Sequence, residues 1–425
     1  MVASTDNKFY VYTNNNAPQL QNAYGSMINV LDACLINGIN IGIVSSLTAS
    51  GTTVTATFST THNLMQYQVI KITGAAQSEF NGEHRILTVP TAQSVTFELT
   101  STPSISAATG TITASLPPLG WEKPFSNANA NGGGKAAYRS KNLLLPSRPF
   151  LRVIDELAPS WTATYAKYAK VGIVEDMSDI DTMIGVQPNL ANWIGSGAGS
   201  SAVNGINKWY YARTDNETIT GQNVSDTFTP AAGNRVWVLV GSSDYFYILP
   251  SVAMGSNSNF SSCYGFGAFT SFMPIDNANN FLLATIKSGV ASDTNRLPFF
   301  GSLTNNIKYG ISLQRKYDIS EQQSAAKTIS FQSPSLSEVF SGYSDLFAPK
   351  STSGSQIFFP SFILEDQVLR GELPGVKIQM QKYSKGDLST TTCGKDILLN
   401  KNVLAYSSAN SSLVFGQVSI KIGEL

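Results

Sequence analysis

Three glycines precede a lysine in "NANANGGGKAAYRS", Asn127 to Ser140. A phosphate cradle needs Gly, four residues, then Gly-Lys and a Ser or Thr whose hydroxyl reaches a metal ion. Here Asn129 occupies the first glycine position and Ala136 follows Lys135. The stretch therefore reads as a polar, turn-forming loop, with Trp121, Phe125 and Tyr138 anchoring its ends. The two histidines, His62 and His84, have no G-x-S-x-G elbow to serve and read as surface or structural residues near turns. The acidic cluster "VEDMSDIDTM" holds Glu175, Asp176, Asp179 and Asp181 but lacks the Gly and terminal Glu of a calcium loop. It reads as a turn whose Asp and Ser side chains bond local backbone. Cys34, Cys263 and Cys393 form no CxxC pair and no cluster with histidine, so all three read as plain core thiols. No catalytic, metal or cofactor site is predicted.

The elements around these residues are mostly strands. "SMINVLDACLINGIN" is the exception. Met27, Val30, Leu31, Cys34 and Leu35 recur at helical spacing, Ser26 is placed to cap, and Gly38 falls just past the end. From Ile41 to Leu116 the texture becomes short, alternating and Thr/Val-rich, as in "TTVTATFS", "QVIKITG", "SVTFELTS" and "GTITASL", with turn clusters between. This predicts a small β-module, residues 41–116, inserted into a discontinuous main body of residues 1–40 and 117–291. In that body "PFLRVIDE", "NKWYYART" and "RVWVLVGSSDYFYILP" read as strands, the last as a hairpin turning near Gly241 to Asp244. Residues 292–425 read as a looser β-rich region with long polar loops, suited to subunit contact. The fold class expected is mainly β, a multi-domain sandwich or barrel-like architecture with few short helices.

Composition bounds the partners. The chain has 425 residues, 28 basic and 28 acidic, and charged residues make up 13%, about half the usual ~25%. No basic field draws nucleic acid, and no apolar run nears the ~20 residues that span a bilayer. "MVASTDNKFYVYTNNN" has no basic start and no apolar stretch, so no export signal is read. A neutral polar surface lowers the desolvation needed at contacts. Trp209, Tyr210, Tyr211, Tyr245, Phe246, Tyr247, Phe358 and Phe359 are the candidate subunit-contact residues, because alternating strands would leave one face of each aromatic run to a core or a partner. "SQIFFPSFILED" could add a strand to a neighbour's sheet.

"LDACLINGIN", "GWEKPFSNANANGGGKAAYRS", "PFLRVIDE", "AKVGIVEDMSDID" and "RVWVLVGSSDYFYILP" occur in that order. Together they resemble a family of virion structural proteins of tailed bacteriophages. The inserted module, through "THNLMQYQVIKITGA" and "FNGEHRILTV", resembles the Ig-like modules such proteins carry. The resemblance covers about residues 5–290. It implies a non-enzymatic particle component, made in the host cytoplasm and located in the virion, at the tail, baseplate or head–tail collar. Implied partners are other phage structural proteins and further copies of the chain, with a host-surface glycan as a possible ligand of the inserted module. The alternatives are a receptor- or glycan-binding tail adhesin, a head decoration protein, and a polysaccharide-degrading tail enzyme.

Overall fold

The computed structural model describes residues 3–157, 162–166, 168–185, 207–212, 230–251, 261–284, 311–329, 358–379, 388–406 and 413–424. These are mainly β, in several antiparallel sheets.

A first strand, β1 (Lys8–Val11), leads to α1 (Ser26–Leu31), which continues as a π-helical turn over Asp32–Asn37. The buried face holds Met27, Val30, Leu31, Cys34 and Leu35, the spacing read from sequence, and Gly38 ends it at φ 76°. The expected cap differs. Gly25 occupies the N-cap, and the Ser26 hydroxyl instead donates to Ala23 O at 2.6 Å. The buried amide of Met27, in the first helical turn, donates to a carboxylate from a distant strand, Asp155, at 3.0 Å.

Seven strands then follow: β2 (Ile39–Ser50), β3 (Thr53–Phe58), β4 (Val69–Ala75), β5 (Gly82–Arg85), β6 (Thr88–Thr91), β7 (Ser94–Glu98) and β8 (Gly110–Leu116). They pair only with one another, in the order β5-β4-β8-β2-β3-β7-β6. Period-two alternation decides their faces: Val54, Ala56 and Phe58 point inward while Thr53, Thr55 and Thr57 do not.

A five-stranded sheet is built from β9 (Trp121–Ala128), β10 (Gly133–Ser140), β11 (Phe150–Glu156), β12 (Tyr168–Val174) and β15 (Asn207–Tyr210). The small hairpin β13 (Asp176–Met177) and β14 (Met183–Ile184) packs Met177, Ile180 and Met183 against Ala137, Phe150 and Val174 on the sheet's outer face.

The remaining strands are β16 (Trp237–Gly241), β17 (Tyr245–Pro250), β18 (Tyr264–Ala268), β19 (Thr270–Ser271), β20 (Asn280–Leu283), β21 (Ile311–Arg315), β22 (Gln322–Ile329), β23 (Phe358–Glu365), β24 (Val368–Gln379), β25 (Leu388–Cys393), β26 (Asp396–Tyr406) and β27 (Leu413–Glu424). With β1 they form one sheet, ordered β1-β16-β17-β18-β20-β21-β22-β23-β24-β27-β26-β25, with β19 beside β24. It curls until β1 and β16 approach β27. The boundary expected at residues 291/292 falls inside this sheet, since β20 pairs with β21.

The strands β1, β16, β17, β18 and β20 form a wall between two cores. Tyr10, Trp237, Leu239, Phe246, Ile248, Tyr264, Phe266 and Leu282 face one core, shared with α1, the five-stranded sheet and the seven-stranded sheet. Phe9, Val11, Val238, Val240, Tyr245, Tyr247, Leu249, Phe281 and Leu283 face the other, inside the curled sheet. A strand covered on both faces must be apolar at every position, and "WVLVG" and "YFYILP" are.

Candidate functional site

The sequence-predicted contact residues divide sharply. Trp209, Tyr210, Tyr211, Tyr245, Phe246 and Tyr247 are buried within the chain itself, which corrects their assignment as subunit contacts. Their rings serve the two cores. Trp209 stacks on Tyr264 at 6.0 Å and Trp121 meets Phe246 edge-on at 5.3 Å. Tyr247 lies over Phe281 at 5.7 Å and its hydroxyl donates to Pro374 O. Alternation required at least one covered face of each run, by core or by a partner; for β17 the chain's own cores supply the cover on both faces. Phe358 and Phe359 are half-buried on β23, which pairs with β22 and β24 of its own sheet.

The stretch expected to be a loop is mostly strand: only Asn129 to Gly132 form the turn of the β9–β10 hairpin, and Gly133 to Ser140, Lys135 included, are β10 paired on both sides. Asn129 organises the turn by accepting from the Asn131 amide at 2.9 Å. Gly133 has a positive φ of 73°, and a Cβ there would lie 1.9 Å from Asp155 O and 2.9 Å from Gly25 N. The glycine is thus required for a close backbone approach beneath the start of α1. Lys135 Nζ donates to Asp181 Oδ1 at 2.7 Å, and Arg152 reaches the same oxygen at 2.6 Å.

The acidic cluster is consumed by such contacts. Asp179 accepts from the amides of Asp181 and Thr182, closing the turn. Burial opposes ionisation of Glu175, but hydrogen bonds from Arg315, Gln314 and Gln322 outweigh it and hold the carboxyl low. Among the described residues no group of three or more metal-ligating side chains converges. His62 and His84 are both interior: His84 stacks on Phe97 at 4.3 Å, and burial lowers the pKa of each imidazole. Cys34 and Cys263 are buried, Cys393 half-buried, and all three are free.

Three charged groups that sequence reading missed hold the units together. Arg85 of the module is 2% exposed and donates only to carbonyls: Ser4 O at 2.6 Å, Tyr67 O at 2.7 Å and Asn7 O at 2.9 Å. Burial lowers its pKa to about 10. Arg370 of β24 is fully buried, bonded to Asp276 and, at 2.6 Å, to Glu365. Asp155 accepts from Met27 N and, at 2.7 Å, from the Tyr211 hydroxyl. Its burial outweighs those bonds and lifts its carboxyl to about 7. No spacing pattern announces such residues, because their partners lie far away in sequence.

Beside Arg85, a cleft of about 540 Å³ opens where the N-terminal segment, the module, the wall and the curled sheet meet. Asp6, Lys8, Glu83, Asp244, Tyr245 and Lys421 line it. Its two lysines are ion-paired: Lys8 with Glu83 at 3.1 Å and Lys421 with Asp396, outside the lining, at 2.8 Å. Tyr245 turns its hydroxyl to Asn7 Oδ1 at 3.1 Å and keeps its ring in the core. The arrangement fixes segments to one another. Within the module Phe58, Phe80 and Phe97 are likewise interior.

A few large apolar side chains stand out on the surface. Leu143 and Leu144 are 78% and 92% exposed, Ile275 82% and Phe272 47%. They project from braced turns. The Asn142 side chain donates to Asp244 at 2.8 Å, Ala268 N bonds Asp244 O, and Phe272 N bonds Arg370 O beside exposed Leu369.

No family model matches this chain, and no curated protein matches it. Among solved structures it aligns with phage phi92 endosialidase at 9% identity and a TM-score of 0.15, over 90% of this chain and 51% of that one. The chain thus spans about half the length of the protein it matches, and a likeness this low carries no argument.

Proposed function

We propose that this chain is a non-enzymatic structural subunit of a tailed-phage particle, in the tail, baseplate or collar region, working through contacts with neighbouring subunits. The observation that carries the reading is the exposure of the large apolar side chains Leu143, Leu144, Phe272, Ile275 and Leu369. These are five of the eight large hydrophobics exposed among the described residues. Turns that hold leucines outward by side-chain and backbone hydrogen bonds present a fixed apolar surface, as a contact region does. The ordered likeness of residues 5–290 to phage virion proteins supports the setting. Particle preparations test it. The chain should co-purify with intact particles, and Leu144→Asp with Ile275→Asp should abolish its incorporation while leaving its circular dichroism unchanged. Absence of the wild-type chain from particles would overturn the reading.

A further inference from the structure

We infer that β25 is the seam along which two copies of this chain pair, edge to edge and antiparallel. The inference deepens the proposed function by naming one partner, a second copy.

An edge strand offers a row of unpaired N–H and C=O groups, and proteins blunt such rows with charge, proline, shortness or cover. Every other edge of the three larger sheets among the described residues is blunted. β9 carries Glu122, Lys123 and Pro124. β6 is four residues long and holds Pro90, and β5 is four residues long with Glu83 and Arg85. β15 and the far edge β1 are short and largely buried. β25 is different. Its six residues, Leu388-Ser-Thr-Thr-Thr-Cys393, contain no charge and no proline, and its register against β26 runs without a bulge. Its one neighbour among the described strands is β26.

The turn geometry says which groups face outward. β25 and β26 are joined by the two-residue turn Gly394–Lys395, with Cys393 opposite Asp396. In such a hairpin the closing pair exchanges both hydrogen bonds, and the pattern alternates from there. Cys393, Thr391 and Ser389 therefore bond inward to β26. The amides and carbonyls of Thr392, Thr390 and Leu388 point away from the sheet. Side chains on the inward-bonding positions are held as well, since Asn400 Nδ2 donates to Thr391 Oγ1 at 2.8 Å. The edge is preformed.

Its sequence suits its own copy. A two-fold axis normal to the sheet keeps each side chain on its own face, so a residue of one strand meets a residue of like parity on the other. Centred on Thr391, the pairing sets Thr391 against Thr391, Thr390 against Thr392 and Ser389 against Cys393. Thr–Thr and Thr–Ser pairs stabilise antiparallel strands, and like charges, which would oppose self-pairing, are absent. The outward amides and carbonyls of Thr390 and Thr392 then close four backbone hydrogen bonds. A symmetric pair of this kind uses the same patch on both subunits.

The experiment is analytical ultracentrifugation of the full chain with two variants. Wild type should sediment as a concentration-dependent dimer. Thr392→Pro removes one outward amide without touching the β25–β26 ladder and should lose the dimer with its circular dichroism unchanged. In a Cys393→Ser background, where Cys34 and Cys263 are buried, Thr391→Cys should form a disulfide-linked dimer on mild oxidation. If Thr392→Pro misfolds, the cross-link decides. A wild-type chain that stays monomeric at its highest soluble concentration, a Thr392→Pro dimer as strong as wild type, or no cross-link at position 391 overturns the inference. Retention of Thr392→Pro in particles would leave the proposed function standing while removing this seam from it.

Discussion

The wall and the inserted sheet are both antiparallel β structure, yet they are made from different residues. The wall strands β16 and β17 are apolar at nearly every position and contact a core on each face. The inserted strands β3 and β7 alternate, with Val54, Ala56, Val95 and Phe97 interior and threonines between them only partly covered. The difference teaches that a run of large apolar residues in a strand reports two covered faces. Both covers can come from one chain, so the aromatic runs supply no evidence of a partner.

The comparison breaks most readily at Phe246 and Tyr247, adjacent residues that point into opposite cores. Each changed to alanine should lower stability by about 3–5 kcal/mol, measured by urea denaturation. A small effect at either position would mean that one face of the wall is open. At Thr96 and Phe97 of the insert, the same pair of changes should be unequal, with Phe97→Ala large and Thr96→Ala under about 1 kcal/mol.

Next in size is the coupling of the wall's core to pH through Asp155. Its carboxyl titrates at about 7 in the folded chain, against 3.8 for an ordinary aspartate such as the unfolded chain presents. Folded chain therefore holds a proton through that interval that unfolded chain has released. This contribution to stability is fully present below about pH 4, declines as pH rises, and is lost above about pH 7, a change of a few kcal/mol at ~1.4 kcal/mol per unit. Asp155→Asn should flatten that decline in urea midpoints measured from about pH 4 to about pH 8. An unchanged slope would assign the pH dependence elsewhere.

A smaller effect, about 1–3 kcal/mol, is expected from Gly265→Ala. A Cβ at that position in β18 would lie 2.6 Å from the Tyr247 ring and 2.8 Å from Phe246 O. The smallest belongs to Lys135→Ala. Its partner Asp181 is 49% exposed and keeps Arg152, so thermal melts should shift by no more than ~1 kcal/mol allows.

The legible parts of the fold were those written in local periodicity. The α1 face, the β16–β17 hairpin and the alternating strands of the insert each carry their signal within a dozen residues. β2 was harder to see because its register shifts near Gly42 and again between Val44 and Ser46, which interrupts the alternation. The division of the aromatic runs between two cores was not legible, since the second cover of β17 is assembled from strands spread over the chain, from β1 to β27. Arg85, Asp155 and Arg370 were invisible for the same reason: a buried charge is recognised by its partners, and those are set by topology. The turn in the glycine-rich stretch was legible only for Asn129 to Gly132; Gly133 to Lys135 belong to β10, and the close approach that demands Gly133 could be seen only in three dimensions.

The position of β1 has a consequence for the order of events during synthesis. Its four residues find their partners on β16, where Lys8 meets Gly241, more than two hundred residues later. At about 5–20 residues per second a ribosome needs tens of seconds to supply that partner. The inserted strands, by contrast, close among themselves within Ile39 to Leu116. For that interval the nascent chain carries a folded insert behind an unpaired "KFYV". The place of β1 in the wall is thus filled only after β16 has been made, although β1 precedes the insert in the chain.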